Sequence, residues 1–158
     1  VDAVGGVDVN VPFHMRYKDP TSNPPLNINI KAGLQELDGK QSLDFVRYRK
    51  GNNRLGYKDG DLGRIKAQQN FIEAFVSKAK DNIITVITKG LKYINTDMGL
   101  IDALSYGRNA IGMTGEDIEF ITLPGKDDFR EVNKRIYSYF IYNDREIKSM
   151  LEEIYNVK

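Results

Sequence analysis

The sequence VDVNVPF at residues 7–13 puts apolar side chains at Val7, Val9, Val11 and Phe13, with other residues between them. A period of two fits an extended strand with one buried face, because a helix would scatter these four side chains around its axis. The strand follows a Gly5-Gly6 turn and needs an apolar layer to lie against. Residues 18–27 (KDPTSNPPLN) form a loop, and 27–39 (NINIKAGLQELDG) give a short strand and then a turn. Asp38 caps a short helix in KQSLDFV, and a strong helix follows over 62–80 with Asp59 or Asp61 at its N-terminus. NIITVITKGL resembles a further short helix, although its β-branched residues leave a strand open. Thr96 caps a helix through 98–112, DIEFITLP and IYSYFIY read as strands, and Asn143 or Asp144 caps a last helix, DREIKSMLEEIY. That last helix carries Ile147, Met150, Leu151 and Ile154 on one face. Strands and helices mixed without clean βαβ alternation point to the α/β class, as a three-layer α/β/α sandwich around a mixed central sheet. Residues 1–158 are read as a single domain.

Composition narrows the chemistry. With 158 residues, 41% of them hydrophobic, the chain can bury one core. The absence of cysteine excludes thiol catalysis, disulfides and cysteine-ligated zinc. His14 is the only histidine; it sits in a strand-like segment, where a structural or surface role is expected. No His or Glu pair has metal-ligand spacing. The net charge is only +1, which argues against a nucleic-acid-binding surface spread over the chain.

Charge is concentrated in one place. Residues 46–69, VRYRKGNNRLGYKDGDLGRIKAQQ, carry seven cations against Asp59 and Asp61. Arg47 and Arg49 point the same way only on extended backbone, so the helix before them must end near Val46. Arg64 and Gln68 are four apart and share a helix face that continues to Phe71 and Phe75, roughly 16 Å away along the axis. That face runs from a cation and an amide beside free helix-terminal N–H groups to aromatics below, an order that suits an anionic head with an apolar tail. Alternatively, the basic loop is solvated surface and the phenylalanines are core. Asp59 and Asp61 suit capping or pairing with Arg64. The aromatics Tyr137, Tyr139, Phe140 and Tyr142 are read as strand-core residues with exposed edges.

VDAVGGVDVNVPF, the MRYKD element at 15–19, LNINIKAGLQELDGKQSLDFVRYRK and GDLGRIKAQQNFI, in this order, resemble the LytR-CpsA-Psr family. The resemblance runs through most of residues 1–76 and more weakly to about residue 125. It implies an α/β/α fold with a hydrophobic tunnel, and a bacterial phosphotransferase on the extracytoplasmic face of the membrane, held by an N-terminal helix. Such enzymes move teichoic-acid-like or capsular glycopolymers from polyprenyl pyrophosphate to peptidoglycan, with magnesium assisting. Carried over by motif, Arg47, Arg49 and Arg64 would be catalytic. Gln68, Asp61, Phe71 and Phe75 would bind substrate. The Mg2+ ligands and a carboxylate base are expected in an N-terminal portion of the domain upstream of Val1, so no metal ligand is expected here. On this reading the chain alone is inactive and exposes a sheet edge that favours a homodimer. Two departures stand out. Ala67 replaces the family's usual Arg, which implies a lost structural or peripheral contact, and the loop from Arg49 to Arg64 is long, with Arg54 and Lys58 as extra cations. The alternatives are a non-catalytic module that binds polyprenyl phosphate or anionic polymer, or a transcriptional attenuator as older family naming would have it.

Overall fold

The computed structural model describes residues 1–155. It divides into two compact units, Val1–Glu119 and the segment from Phe120 onward. In the first, β1 (Val7–Val11) pairs with β4 (Gly33–Leu37), and β2 (Met15–Asp19) pairs with β3 (Leu26–Ile30), all antiparallel. These two ladders are nested. Going inward, the step from Val11 to Met15 on one arm faces the step from Gly33 to Ile30 on the other, so the first arm carries one residue more. An extra residue of this kind bends a ladder and re-aims side chains. Here it accompanies Phe13, whose ring lies 5.8 Å from that of Tyr48 and 5.2 Å from that of Tyr57.

The predicted alternation is present in β1, with Val7, Val9 and Val11 buried and Asp8 and Asn10 exposed. Met15, Ile28, Ile30 and Leu37 extend the core, and α1 (Gly39–Arg47) and α2 (Gly60–Ala79) add Phe45, Ala67 and Ala79. Asp38 caps α1 as expected: its carboxylate accepts from the Gln41 N–H, and the Gln41 side chain accepts from the Asp38 N–H. Such a box is worth about 1 kcal/mol. Lys78 of α2 reaches Glu36 at 3.2 Å and Asp8 at 3.6 Å, two acids directly opposite in the β1–β4 ladder. One cation thus relieves a like-charge cross-strand pair. The expected strand and turn over 27–39 is a pair of strands, β3 and β4.

The remaining helices of this unit are α3 (Ile83–Gly90) and α4 (Leu100–Asn109). α3 takes the helical option despite its β-branched residues. α4 starts two residues later and ends three earlier than expected. Thr96 accepts from the Met98 N–H in the turn ahead of it, while Gly99 occupies the cap position. Residues 117–124 (DIEFITLP), expected as a strand, contain only the end of a 3-10 turn and irregular chain, and no strand among the described residues pairs with them.

In the second unit β5 (Gly125–Val132) and β6 (Arg135–Tyr142) form an antiparallel hairpin, followed by α5 (Asp144–Tyr155). Asn143 caps α5, accepting from the Glu146 N–H and donating to the Glu146 carboxylate. Tyr137, Tyr139, Phe140 and Tyr142 lie on β6 as expected but are exposed rather than packed as core. Among the described residues most positions of both strands are exposed. Of the α5 stripe, Ile147 and Met150 are half-buried, and Leu151 and Ile154 are exposed.

The α/β class holds. Among the described residues every strand pairing is antiparallel, in three two-stranded sheets. No helix among them is long and apolar enough to cross a membrane.

Candidate anion-binding site

The site is built where α1 ends and α2 begins. α1 stops at Arg47, one residue beyond the expected end. Tyr48, extended at φ −65° and ψ 127°, is 1% exposed, while Arg47 and Arg49 on either side are exposed. Burying Tyr48 therefore turns both arginines outward, and they border one concavity of about 260 Å³ that is also lined by Tyr17, Leu26 and Ile28.

The long loop is a closed structure. Lys50 and Gly56 form an antiparallel bridge, Gly51 donates to the Leu55 carbonyl at 2.7 Å, and the Tyr48 hydroxyl donates to the same carbonyl at 2.7 Å. The Asn52 amide accepts from the Lys18 N–H and donates to the Lys18 carbonyl, so it pairs with the β2 backbone as another strand would. A side chain at Gly51 would meet the Arg16 carbonyl, so glycine is what allows the loop to press against β2.

The chain then returns through Tyr57, which packs against Gly63; a Cβ there would lie 2.5 Å from the Tyr57 Cβ. Asp59 makes no side-chain cap. Asp61 has another role. Its Oδ1 lies 2.8 Å from Arg64 Nη2 and 3.8 Å from Arg49 Nε. Guanidinium groups from two separate elements thus converge on one anionic oxygen. Arg64 is half-buried, and its Nε is a buried donor with no partner.

The other predicted residues have definite places. Gln68 donates through Nε2 to the Val46 carbonyl at 2.7 Å, fastening α2 to the last turn of α1 next to Arg47. Phe71 lies 6.2 Å from Phe45, ring to ring, against the core. Phe75 also borders a groove of about 570 Å³ with Val4, Val86 and Tyr93. Ala67 is buried. Its small side chain packs in the core, three residues on from Arg64 along α2. His14 accepts or donates only at the surface, with Nε2 2.8 Å from Asn29 Oδ1. Among the described residues no three acidic or imidazole side chains form a metal-binding group, and Asp61 is already engaged by two arginines, so these residues do not fit a magnesium ion.

Tyr48, Tyr57 and Asn52 shape the site and were not singled out in the sequence. Burial pushes the Tyr57 hydroxyl up to about 12, with neighbouring Tyr48 adding to the effect, and that hydroxyl has no hydrogen-bond partner. Because the folded state holds the neutral phenol, stability is intact below about pH 10 and is lost towards pH 12 as the unfolded chain ionises. Tyr57→Phe is expected to flatten that alkaline decline in denaturation curves and to leave stability at pH 7 unchanged or about 1 kcal/mol higher. Destabilisation at pH 7 would mean that the hydroxyl is satisfied.

In this α/β unit guanidinium groups from the loop and from α2 converge on one carboxylate oxygen. The chain belongs to the LytR_cpsA_psr family, whose model matches residues 1–156. It is similar to the polyisoprenyl-teichoic acid–peptidoglycan teichoic acid transferase TagU of Oceanobacillus iheyensis, 30% identical across 98% of this chain and 44% of that protein. The polyisoprenyl-teichoic acid–peptidoglycan teichoic acid transferase TagV of Bacillus subtilis is 25% identical across 87% of this chain and 35% of its own length. The crystal structure of TagV superposes with a TM-score of 0.70 at 22% identity, over 100% of this chain and 59% of that one. TagT solved bound to LI-WTA matches at 25% identity and a TM-score of 0.64, over 99% and 54% of the two chains. The chain therefore spans less than half of the full length of these two curated relatives, 35% of TagV and 44% of TagU.

Proposed function

We propose that this chain supplies the pyrophosphate-binding part of an enzyme that transfers anionic glycopolymer from a polyprenyl pyrophosphate carrier to peptidoglycan. The observation that carries this reading is the single Asp61 oxygen held between Arg64 and Arg49, with Arg47 on the same concavity as Arg49. A pyrophosphate offers several anionic oxygens to guanidiniums already gathered around one carboxylate oxygen, and arginine forks match their geometry. The similarity to TagU and TagV, both teichoic acid transferases, supports the same substrate class. In the reaction, a peptidoglycan hydroxyl forms a P–O bond to the phosphorus bearing the sugar. The bridging P–O bond breaks, and polyprenyl phosphate leaves with the charge that Arg47, Arg49 and Arg64 neutralise. Gln68 acts as a positioning residue for the α1 terminus. Phe75 and the groove beside it receive part of the lipid.

In this reading the two units belong to one domain of the α/β/α type, whose mixed sheet is completed by strands outside these residues. The domain works on the extracytoplasmic face of a bacterial membrane. Magnesium, its ligands and the carboxylate base likewise lie outside residues 1–158. The test is calorimetric titration of the chain with a short polyprenyl pyrophosphate, inorganic pyrophosphate and sulfate. Both pyrophosphates are expected to bind, the lipid form more tightly because of its tail, and sulfate more weakly than either. Equal binding of sulfate and pyrophosphate would overturn the reading.

A further inference from the structure

The β5–β6 hairpin is a sheet of two strands, so among the described residues each strand leaves one edge unpaired. The two edges differ in charge. β5, GKDDFREV, carries Lys126, Asp127, Asp128, Arg130 and Glu131. β6, RIYSYFIY, is charged only at its first residue, Arg135. From Ile136 to Tyr142 it has no charge, no Gly and no Pro, and all of these residues are exposed except the half-buried Ile141. Edge strands are normally guarded by charge, by proline or by being short. β5 is guarded and β6 is not.

We infer that the β6 edge pairs, antiparallel, with the β6 edge of a second copy of this chain, closing a dimer of strand order β5–β6–β6–β5. The dimer does not depend on the function proposed above. Register selects this partner. A two-fold axis between antiparallel strands stands perpendicular to the sheet, so like faces join and one residue lies opposite its own copy. Centred on Ser138, β6 sets Tyr137 against Tyr139 and Ile136 against Phe140. Centred on Tyr139, it sets Tyr137 against Ile141 and Ile136 against Tyr142. Both registers oppose aromatic and β-branched side chains and bring no like charges together. β5 fails the same test at every centre from Asp127 to Glu131. Centring on Asp127, Asp128, Arg130 or Glu131 puts that charge against its own copy, and centring on Phe129 puts Asp127 against Glu131. Pairing β6 with β5 of the next molecule would set charges against aromatics and leave an open, fibre-forming chain. The β6–β6 dimer also strengthens the sheet, because an isolated hairpin is marginal in water whereas four strands with an apolar face are not. Phe129, Ile136, Phe140 and Tyr142 lie on one face of the hairpin, and the axis makes that face continuous across both copies.

The experiment combines sedimentation equilibrium of the 158-residue chain with cysteine cross-linking, which the absence of native cysteine makes specific. Joining two edges buries less than the roughly 1,600 Å² of a standard interface, so a monomer–dimer equilibrium that moves with concentration is expected. The variant Ile136→Lys/Phe140→Lys is expected to weaken that association at least about tenfold. Within the hairpin each new lysine faces an acid, Glu131 or Asp127, so the circular dichroism spectrum should be unchanged. Ser138→Cys or Tyr139→Cys is expected to yield a disulfide-linked dimer on mild oxidation, since directly opposed residues lie about 4.5–5.5 Å apart at Cα, within disulfide reach. Glu131→Cys, on the guarded strand, is expected to stay monomeric. The cross-link through β6 is expected in the complete protein that carries this segment as well. A chain that remains monomeric overturns the inference, as does association that the lysine variant leaves intact. So do open-ended aggregates in place of dimers, cross-linking through Glu131→Cys as efficient as through β6, or a complete protein whose β6 cysteines do not cross-link.

Discussion

Arg64→Ala is expected to weaken pyrophosphate binding by about 100-fold or more, and to abolish polymer attachment by the complete protein that carries this segment. Arg64 joins the helix to the loop arginine through Asp61, at 2.8 Å from that carboxylate, and its buried Nε is a donor without a partner. Truncation therefore removes a charge-assisted fork and also leaves Asp61 facing Arg49 alone, at 3.8 Å, with its charge less offset. The incoming phosphate then meets an acid where it had met a cation. Arg64→Lys keeps the charge and loses the two-pronged geometry, so an intermediate loss is expected. The fold should survive both changes, because Arg64 lies outside the buried core. Calorimetry with pyrophosphate and a cell-wall attachment assay measure the two effects; normal attachment by the alanine variant would remove the central claim.

The largest stability effect is expected at Phe45. Its side chain is 2% exposed and faces Phe71, so it couples the last turns of α1 to α2. Deleting a buried phenylalanine side chain costs about 3–5 kcal/mol, a large share of a marginal total of roughly 5–15 kcal/mol. Phe45→Ala should therefore shift the urea midpoint sharply, and Phe45→Leu, which retains most of the volume, should shift it less. Arg47 lies two residues further on and is held near α2 by the Gln68–Val46 hydrogen bond. Weakened packing at Phe45 is thus also expected to lower pyrophosphate affinity in the fraction that remains folded. A variant as stable as the unaltered chain would show that the α1–α2 contact is not what holds this end of the molecule.

Local chemistry was the legible part of the sequence. The β1 alternation, the Asp38 cap, the long second helix and the span of α5 follow from rules that act over a few residues. The outward turn of Arg47 and Arg49 was also readable, because it needs only the helix to stop and the next residue to face inward. Partnership was not legible. DIEFITLP has a strand-like composition yet no strand beside it, whereas GKDDFREV, charged and unpromising, is a strand because β6 lies alongside. The roles of Asp61 and Gln68 were visible only in part for the same reason. Spacing placed them on a helix face, but a carboxylate between two arginines and an amide on the Val46 carbonyl depend on elements far apart in sequence. The order from cation to aromatic along α2 is real, although Phe71 serves packing and only Phe75 also meets a sizeable groove.

The bridge between Lys50 and Gly56 separates two design problems that share one stretch of chain. In the function proposed above Arg49 and Arg64 keep a fixed relation to each other, whereas the residues between them suit whatever lies outside. Because the loop is clamped at its base and Asn52 holds it on β2, residues 53 and 54 can be varied or extended without carrying Arg49 away from α2. The closure entropy changes only slowly with length, by about 0.6 kcal/mol per doubling. This segment is therefore a natural place for related chains to diverge, and a natural graft point for altering what the pocket accepts.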